Sequence, residues 1–345
     1  PQLSCPPDFK SEEAPTVPCH LTSLEEHPSS RCSNSAVSGR NYTHSRGDLE
    51  TPALVRHQGA AKKPRVCGVS YECGRRPQME DVVSCVSNFW CSSRACELDF
   101  FGVFDGHGSD AVAKLCGEEL HGYIAEELTA QENRREEMNI ESALKAAFKK
   151  TDHEAGRRLA GVAQAAGSTA VTALVNGKYL AVANVGDSRA VLCRGGVPLQ
   201  LTDDHKPNRP DERARVEAAG GHVIFLNGFR VLGVLAMSRA IGDHYLRPYV
   251  IAEPEVCVTP RCDEDEFLVM ASDGIWDVLT NDEVCKAVKR SMERYEEYTN
   301  GAMGTMDRAM CSTAEQLAAD VLVKLALAKG SGDNLSCVVV NLANR

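Results

Sequence analysis

Residues 169–193 read TAVTALVNGKYLAVANVGDSRAVLC and contain three short apolar runs separated by two turn signals. Asn176-Gly177 separates the first two runs, and Gly186-Asp187 separates the second from the third. Asn-Gly between apolar runs is typical of a tight β-hairpin, whose strands run antiparallel. We therefore predict three consecutive antiparallel strands over about 169–175, 179–185 and 189–193.

Helical patterns flank this strand cluster on both sides. Ser109 is predicted to cap a helix that runs to about Leu128, because apolar residues recur there at helical spacing. Further helices are predicted over about 140–159, 210–219, 281–298 and 313–329, and further strands over 66–71, 82–86, 98–104, 267–271 and 335–342. Strands that cluster with hairpin turns, next to helices that come in pairs, favour antiparallel sheets covered by helices over a parallel doubly wound sheet.

Composition narrows the class of protein. The 345 residues are 43% hydrophobic and 25% charged, as in ordinary soluble domains, and no apolar run approaches the ~20 residues of a membrane span. The net charge of −10 speaks against a nucleic-acid binder that neutralises phosphates. The 15 cysteines lack ordered spacing, and Cys193, Cys285 and Cys337 lie in apolar runs. We therefore expect buried free thiols in a reducing compartment, the nucleus and cytoplasm.

The first 64 residues differ from the rest of the chain. They are rich in Ser, Pro, Glu, Asn and His and show no sustained period of 2 or 3.6. Such a segment buries too little apolar surface to offset its ordering entropy, so residues 1–64 are predicted to be a disordered regulatory or linker arm. Residues 65–345 are predicted to form the globular domain.

Acidic residues occur where predicted strands meet turns. Asp105 follows DFFGVF, Asp187 follows LAVANVG, Asp273 follows FLVMAS, and Asp333 precedes LSCVVVNL. Glu80 and Asp81 precede another strand, and Asp277 lies four residues after Asp273. A single Asp in such a place is usually a turn former. Five clusters with the same arrangement instead predict carboxylates that converge on hard cations such as Mg²⁺ or Mn²⁺.

Such a site indicates phosphoryl chemistry. Two cations can activate a water and neutralise phosphoryl oxygens. The carbonyl of Gly106 can approach a metal closely, because glycine has no side chain. His107 is a candidate to protonate a leaving oxygen, and the Arg75-Arg76 pair is a candidate to grip phosphate with a fork of N–H donors.

Nine segments in order resemble the metal-dependent protein phosphatase family of type 2C. They span roughly 65–342 and comprise GRRPQMED (74–81), FFGVFDGHG (100–108), AGSTAV (166–171), LAVANVGDSRAVL (180–192), LTDDHKP (201–207), LAMSRAIGD (235–243), EPEV (253–256), ASDGIWDVL (271–279) and GDNLSCVVV (332–340). The resemblance implies an α+β fold: a four-layer α/β/β/α sandwich with two central antiparallel sheets flanked by helix pairs. It also implies a monomeric protein serine/threonine phosphatase with two Mg²⁺ or Mn²⁺ ions and a weaker third.

The same resemblance assigns roles to positions in the motifs. Asp105 matches the carboxylate that bridges both metals, and Gly106 matches the residue that supplies a carbonyl. Asp273 and Asp333 match the remaining metal ligands, while Glu80 and Asp81 match carboxylates that hold metal-bound waters. The other matches are Arg76 as phosphate clamp, His107 as general acid, and Asp187 and Asp277 with Asp273 as the third-metal site.

Several segments are similar to the plant group A phosphatases of abscisic-acid signalling, among them CGRRPQMED and RVLGVLAMSRAIGDHYLRPYVI. This resemblance implies phosphorylated sucrose-non-fermenting-related kinases of subfamily 2 as substrates and inhibition by hormone receptors of the START-like class. Group A members usually carry a tryptophan that contacts the receptor at the position of Leu226. Leucine has no indole N–H, so we expect weak or absent inhibition.

Other functions were weighed against the enzyme. A kinase-binding occluder would use the same cleft without turnover, and replacing Asp273 would separate the two roles. A two-metal nuclease fits the chemistry but not the net charge. A cysteine-based tyrosine phosphatase is disfavoured because the chain has no Cys-x5-Arg segment.

Overall fold

The computed structural model describes residues 54–58, 65–92, 97–299 and 313–343. The strands within these residues are β1 Leu54–Gln58, β2 Cys67–Glu72, β3 Val82–Cys91, β4 Glu97–Phe104, β5 Gly106–His107, β6 Gly167–Ser168, β7 Ala170–Val175, β8 Tyr179–Val185, β9 Arg189–Arg194, β10 Val197–Gln200, β11 Val223–Phe225, β12 Phe229–Val231, β13 Ile241–Gly242, β14 Glu255–Pro260, β15 Asp265–Ala271 and β16 Leu335–Asn341. The helices are α1 Ala111–Asn133, α2 Ile140–Arg158, α3 Pro210–Ala218, α4 Asp273–Trp276, α5 Asn281–Thr299 and α6 Ala314–Ala328, with a 3₁₀ turn at His244–Leu246.

Two large sheets form the centre of the fold. One has the strand order β1-β3-β4-β7-β8-β14, and the other has the order β10-β9-β15-β16-β2. Neighbouring strands are antiparallel, including the predicted β7–β8 hairpin, except that β1 runs parallel to β3. The predicted antiparallel sheets are therefore confirmed apart from this edge pairing.

Strand β1 lies inside the segment predicted to be disordered. Leu54–Gln58 pairs with the edge strand β3, whose backbone groups would otherwise lack partners on that side, and this pairing orders a stretch too short to show periodicity. The rest of residues 1–64 lies outside the described residues, so the prediction for that part stays a prediction.

Three hydrophobic layers separate the sheets and helices. Phe100 packs in the layer between the first sheet and helices α1 and α2, whereas Phe101 packs in the layer between the two sheets. Leu268 likewise faces the inter-sheet layer, and Val269 faces helices α5 and α6. This alternation along β4 and β15 gives each sheet two buried faces. It confirms the predicted four-layer α/β/β/α sandwich.

Helix α1 differs from its prediction at both ends. Its N-cap is Asp110 rather than Ser109, and Ser109 Oγ accepts a hydrogen bond from the N–H of Ala111 at 3.2 Å. The helix continues to Asn133, beyond the predicted end at Leu128. The remaining predicted helices lie within a few residues of their observed bounds.

A smaller unit lies between β10 and β14 in the chain. Helix α3 and the β11–β12 hairpin enclose a core that includes Val216, Val231 and Val250. Residues 222–235, here called the flap, expose Phe225 and Leu226 at 70% and 57% of their surfaces. Apolar side chains are thus presented on a hairpin at the edge of the fold.

The buried thiols agree with the sequence. Cys193, Cys285 and Cys337 are free and buried, as their apolar neighbours predicted. None of the helices in the described part of the chain combines the length and the apolar character of a membrane span.

Candidate active site

Acidic side chains from both sheets meet at one end of the sandwich. Asp105 follows β4 and Asp187 follows β8 in the first sheet, whereas Asp273 follows β15 and Asp333 precedes β16 in the second. The Asp105 carboxyl interacts electrostatically with Asp81, Asp187, Asp273 and Asp333. The sequence pattern therefore marked side chains that the fold brings together.

This convergence is electrostatically unfavourable without cations. Burial, followed by the charges of Asp81 and Asp273, raises the pKa of the Asp105 carboxyl well above its ordinary value. Burial and the charges of Asp187 and Asp277 likewise raise the pKa of Asp273 well above its ordinary value. Nearby like charges disfavour ionisation, whereas bound divalent cations would reverse the effect.

Asp81 supplies a test of whether metal ions fit. Its Oδ2 accepts a hydrogen bond from Ser272 Oγ at 2.9 Å, whereas its buried Oδ1 has no hydrogen-bond partner. Burial raises the pKa of Asp81 to about 6. Asp187 Oδ1 is a second buried carboxylate oxygen without a partner. Carboxylate oxygens without hydrogen-bond partners therefore lie close to carboxyl groups whose pKa values are raised. Such oxygens fit Mg²⁺ or Mn²⁺, which prefer oxygen ligands and retain waters.

Asn334 holds the loop that carries Arg76 and Glu80. Its Nδ2 donates to the carbonyls of Cys73 and Gln78 at 2.9 and 3.0 Å, and its Oδ1 accepts from the N–H of Glu80 at 2.8 Å. One side chain thereby connects the residue after Asp333 with the loop before β3. We did not predict this role, although Asn334 stands in a quoted motif.

A glycine allows the two acidic segments of the second sheet to touch. A Cβ on Gly274 would lie 2.0 Å from the carbonyl oxygen of Asn334, closer than any side chain permits. The backbone after Asp273 therefore packs directly against the backbone after Asp333. This contact brings together the two segments that carry these aspartates.

Arg76 lies at the rim of the acidic cluster. Its Nη2 is 2.6 Å from Asp333 Oδ2, and 54% of its side chain is exposed. A guanidinium has five N–H donors, so this bond leaves others for a phosphate. Glu80 lies near both Arg76 and His107, and burial raises the pKa of its carboxyl.

His107 contacts an acid that the sequence left without a role. Its Nε2 lies 2.6 Å from Oδ2 of Asp243, which is buried. Asp243 ends the quoted motif LAMSRAIGD. Thr169 was also missed: its Oγ1 accepts from the N–H of Asp105 at 3.0 Å, next to Ser188 Oγ at 2.7 Å.

The predicted third-metal residues interact with a lysine. Lys206 Nζ donates to Asp187 Oδ2 at 2.6 Å and interacts electrostatically with Asp273 and Asp277. Burial acts to lower the pKa of the Lys206 ammonium, but these carboxylates outweigh it and raise that pKa above its ordinary value. An ammonium therefore already neutralises part of this acidic group.

A different triad has the tightest grouping of acidic oxygens. Among the described residues, the carboxylates of Asp211, Glu212 and Glu255 are the group with ligand atoms within 4.8 Å of one another. Arg209 and Arg239 bind this triad through ion pairs, for example Arg239 to Glu212 at 2.7 Å. Because arginines already neutralise it, we do not assign this group to a metal.

The expected receptor-contact position lies in the flap. Leu226 follows strand β11 and occupies the turn, where its N–H donates to the carbonyl of Gly228 at 2.7 Å. Phe225 ends the strand, and both Phe225 and Leu226 are exposed. Phe225 packs edge-on against Phe229, with ring centroids 5.2 Å apart.

Comparisons with known proteins show the family to which the chain is similar. A sequence model described as "Protein phosphatase 2C" matches residues 65–335. The rice protein "Probable protein phosphatase 2C 6" is 45% identical over 302 residues, which are 78% of this chain but only 65% of that protein. "Protein phosphatase 2C 77" of Arabidopsis thaliana is 44% identical over 299 residues, 80% of this chain and 70% of that protein.

Solved structures show the same fold. A structure titled as a C. elegans sex determining protein has a TM-score of 0.70 and 26% identity, and it covers 82% of this chain and 66% of that one. A serine-threonine phosphatase 2C from Toxoplasma gondii has a TM-score of 0.64 over 81% of this chain and 96% of that one, at 23% identity.

Proposed function

Because this chain belongs to the protein phosphatase 2C family, whose members are metal-dependent serine/threonine phosphatases, we propose that it hydrolyses phosphoserine and phosphothreonine in other proteins. The observation that carries the proposal is the convergence of Asp81, Asp105 and Asp273, whose pKa values are all raised. A folded chain that gathers such carboxyls at one cleft is built to hold cations.

The metal ligands are proposed as Asp105, Gly106, Asp273 and Asp333, with Glu80 and Asp81 holding metal-bound waters. Two Mg²⁺ or Mn²⁺ ions, when bound, supply an activated water and neutralise phosphoryl charge. Asp187 and Asp277 with Asp273 are proposed for a weaker third ion. The orphaned oxygens of Asp81 and Asp187 support this assignment.

The remaining residues act on the substrate. Arg76 orients the phosphate with the N–H donors that Asp333 leaves free. His107 donates a proton to the serine or threonine oxygen as the P–O bond breaks, because an alkoxide is a poor leaving group. Half of the Arg76 side chain is exposed at the rim, as contact with a protein substrate requires.

We further propose that the substrates are stress-activated protein kinases and that the chain restrains abscisic-acid signalling in the nucleus and cytoplasm. The similarity of its segments to plant group A phosphatases supports this, as does its likeness to plant proteins. Receptors of the START-like class are proposed as weak regulators, because Leu226 stands at the contact position.

The test of activity uses a phosphothreonine peptide and a matched pair of variants. The wild-type chain should release phosphate with Mn²⁺ or Mg²⁺ and lose the activity in EDTA. Asp273→Ala should abolish turnover, whereas Asp211→Ala, from the arginine-bound triad, should retain it. Hydrolysis that persists in the chelator would contradict the metal assignment. If Asp273→Ala still inhibits a kinase as strongly as the wild type does, the result would favour a kinase-binding occluder that works without turnover.

A further inference from the structure

His107 lies in one small sheet beside the cleft, and Asp243 directly follows another strand of that sheet. Its strand order is β13-β6-β5, and its register aligns His107 with Gly167 and Gly167 with Gly242. Strands that are two apart in a sheet are separated by about 10 Å. His107 and Asp243 therefore come from opposite sides of β6 and meet across it.

Gly167 is what allows them to meet. A Cβ at this position would lie 2.1 Å from Asp243 Oδ2 and 2.7 Å from His107 Nε2. Any other residue in the middle strand would fill the space in which the 2.6 Å contact between carboxylate and imidazole forms. The carboxylate of Asp243 and the imidazole of His107 thus occupy the space that a side chain at position 167 would need.

Asp243 is held rigidly by parts of the fold outside the proposed metal ligands. Its backbone is left-handed, with φ 48° and ψ 39°, a conformation that costs about 1 kcal/mol for most residues. Its N–H donates to the carbonyl of Ala166 at 3.0 Å. The preceding Gly242 N–H donates to Asp152 Oδ1 at 2.9 Å, and Arg247 also binds that carboxylate at 2.6 Å. Helix α2 therefore fixes Asp243 through Asp152.

The two ring nitrogens of His107 differ in their partners. Nδ1 is buried and has no hydrogen-bond partner among the described residues, whereas Nε2 is committed to Asp243. An imidazolium that donates its Nε2–H to a fixed carboxylate has a defined orientation and still carries a proton on Nδ1. The His107 side chain as a whole is 24% exposed, and Nδ1 is its one nitrogen without a protein partner among the described residues.

We propose that Asp243 is the positioning residue of the general acid: it accepts the Nε2–H of His107 and so directs Nδ1 toward the leaving oxygen. This rests on the proposed role of His107. In the step, an attacking water oxygen bonds to phosphorus and the serine or threonine P–O bond breaks. The Nδ1 proton of the His107 imidazolium moves to the departing oxygen, which gives the free hydroxyl and leaves a neutral imidazole, and the water's proton leaves to solvent or to phosphate.

The test compares two substrates with Asp243→Asn. Turnover of a phosphoserine peptide should fall about 10- to 100-fold, whereas that of p-nitrophenyl phosphate, whose leaving group needs no proton, should fall less than about threefold. Mn²⁺ affinity, measured by calorimetric titration, should stay unchanged. The double variant His107→Ala/Asp243→Asn should be no slower than His107→Ala, because both substitutions remove one function.

A second variant covers the case in which Asp243→Asn fails to fold. Gly167→Ala places a Cβ between the pair and should show the same substrate dependence, whereas Gly177→Ala, which has open space around it, should match the wild type. Equal losses on both substrates, or additive losses in the double variant, would overturn the positioning role. If His107→Ala itself shows no substrate dependence while the wild type hydrolyses the peptide, the acid role fails and the phosphatase assignment stands.

Discussion

Lys206 Nζ lies 2.6 Å from Asp187 Oδ2, so an ammonium group is paired with one of the acidic residues proposed for a third metal and interacts electrostatically with the other two. Asp187 is 2% exposed, and its other oxygen has no hydrogen-bond partner. A divalent cation entering between Asp187, Asp273 and Asp277 must therefore compete with a charge that the chain supplies. This competition is a physical reason for the third site to be weak.

Replacing Lys206 with methionine should strengthen metal binding at the third site. The substitution removes the competing charge and leaves Asp187 unpaired, so a cation becomes the remaining source of compensation. We expect the weakest Mn²⁺ dissociation constant to fall about tenfold, which corresponds to about 1.4 kcal/mol. Calorimetric titration with Mn²⁺ measures it.

The control for that substitution is Lys149→Met, which removes an exposed lysine on helix α2. It should leave all Mn²⁺ affinities as in the wild type. Unchanged or weaker binding in Lys206→Met would show that Lys206 supports the third site rather than competing with it.

Local sequence patterns predicted the elements and the acids at their ends. The hairpin around Asn176-Gly177 and the strand-end positions of Asp105 and Asp273 follow from short-range rules of turns and periodicity. Three contacts could not be predicted from these short-range rules: Lys206 with Asp187, Asp243 with His107, and Asn334 with the loop at Cys73. Each joins segments whose approach depends on packing of the whole sandwich, which no local pattern encodes.

Glu212 stabilises the unit that carries the flap. This buried carboxylate accepts from Arg215 at 2.8 Å, Arg239 at 2.7 Å and Ser238 Oγ at 2.5 Å. Glu212→Gln removes the carboxylate charge that Arg215 and Arg239 share, and leaves Arg239 with Glu255 as its carboxylate partner. We expect the free energy of unfolding in urea to fall by about 3 kcal/mol.

The matched control is Glu217→Gln, on the same helix. Glu217 pairs with Arg213 at 2.8 Å, but both side chains are about half exposed. An exposed pair contributes little, so its loss should change the free energy of unfolding by less than about 1 kcal/mol. Equal effects of the two variants would contradict the role assigned to the Glu212 network.

His205 should make stability depend on pH between about 4 and 6.5. Burial, followed by the charge of Arg239, lowers the pKa of this imidazole to about 4 in the folded chain. The unfolded chain takes up the proton near the ordinary pKa of about 6.5. Between these values only the unfolded state is protonated, so the His205 contribution is complete above about 6.5 and declines as the pH falls toward 4.

The loss attributable to His205 should reach about 3 kcal/mol at pH 4. Urea denaturation of the metal-free protein at pH 5 and 7 gives the free energy of unfolding of the wild type and of His205→Gln. The variant lacks the titrating group, so its free energy of unfolding should depend less on pH. His222→Gln replaces an exposed flap histidine and serves as the control. A pH dependence identical in the wild type and His205→Gln would contradict the assignment.

Leu226→Trp should make the enzyme sensitive to hormone receptors of the START-like class. Leu226 is 57% exposed in the flap turn, so a larger side chain fits there without disturbing the core. The indole would add the N–H donor that leucine lacks, together with a large apolar face.

With saturating abscisic acid, the receptor concentration that halves phosphopeptide hydrolysis should fall at least about tenfold relative to the wild type. Phe225→Trp, at the neighbouring exposed position, adds the same side chain outside the expected contact and should respond like the wild type. Full inhibition of the unmodified chain by receptor and hormone would show that position 226 does not determine sensitivity.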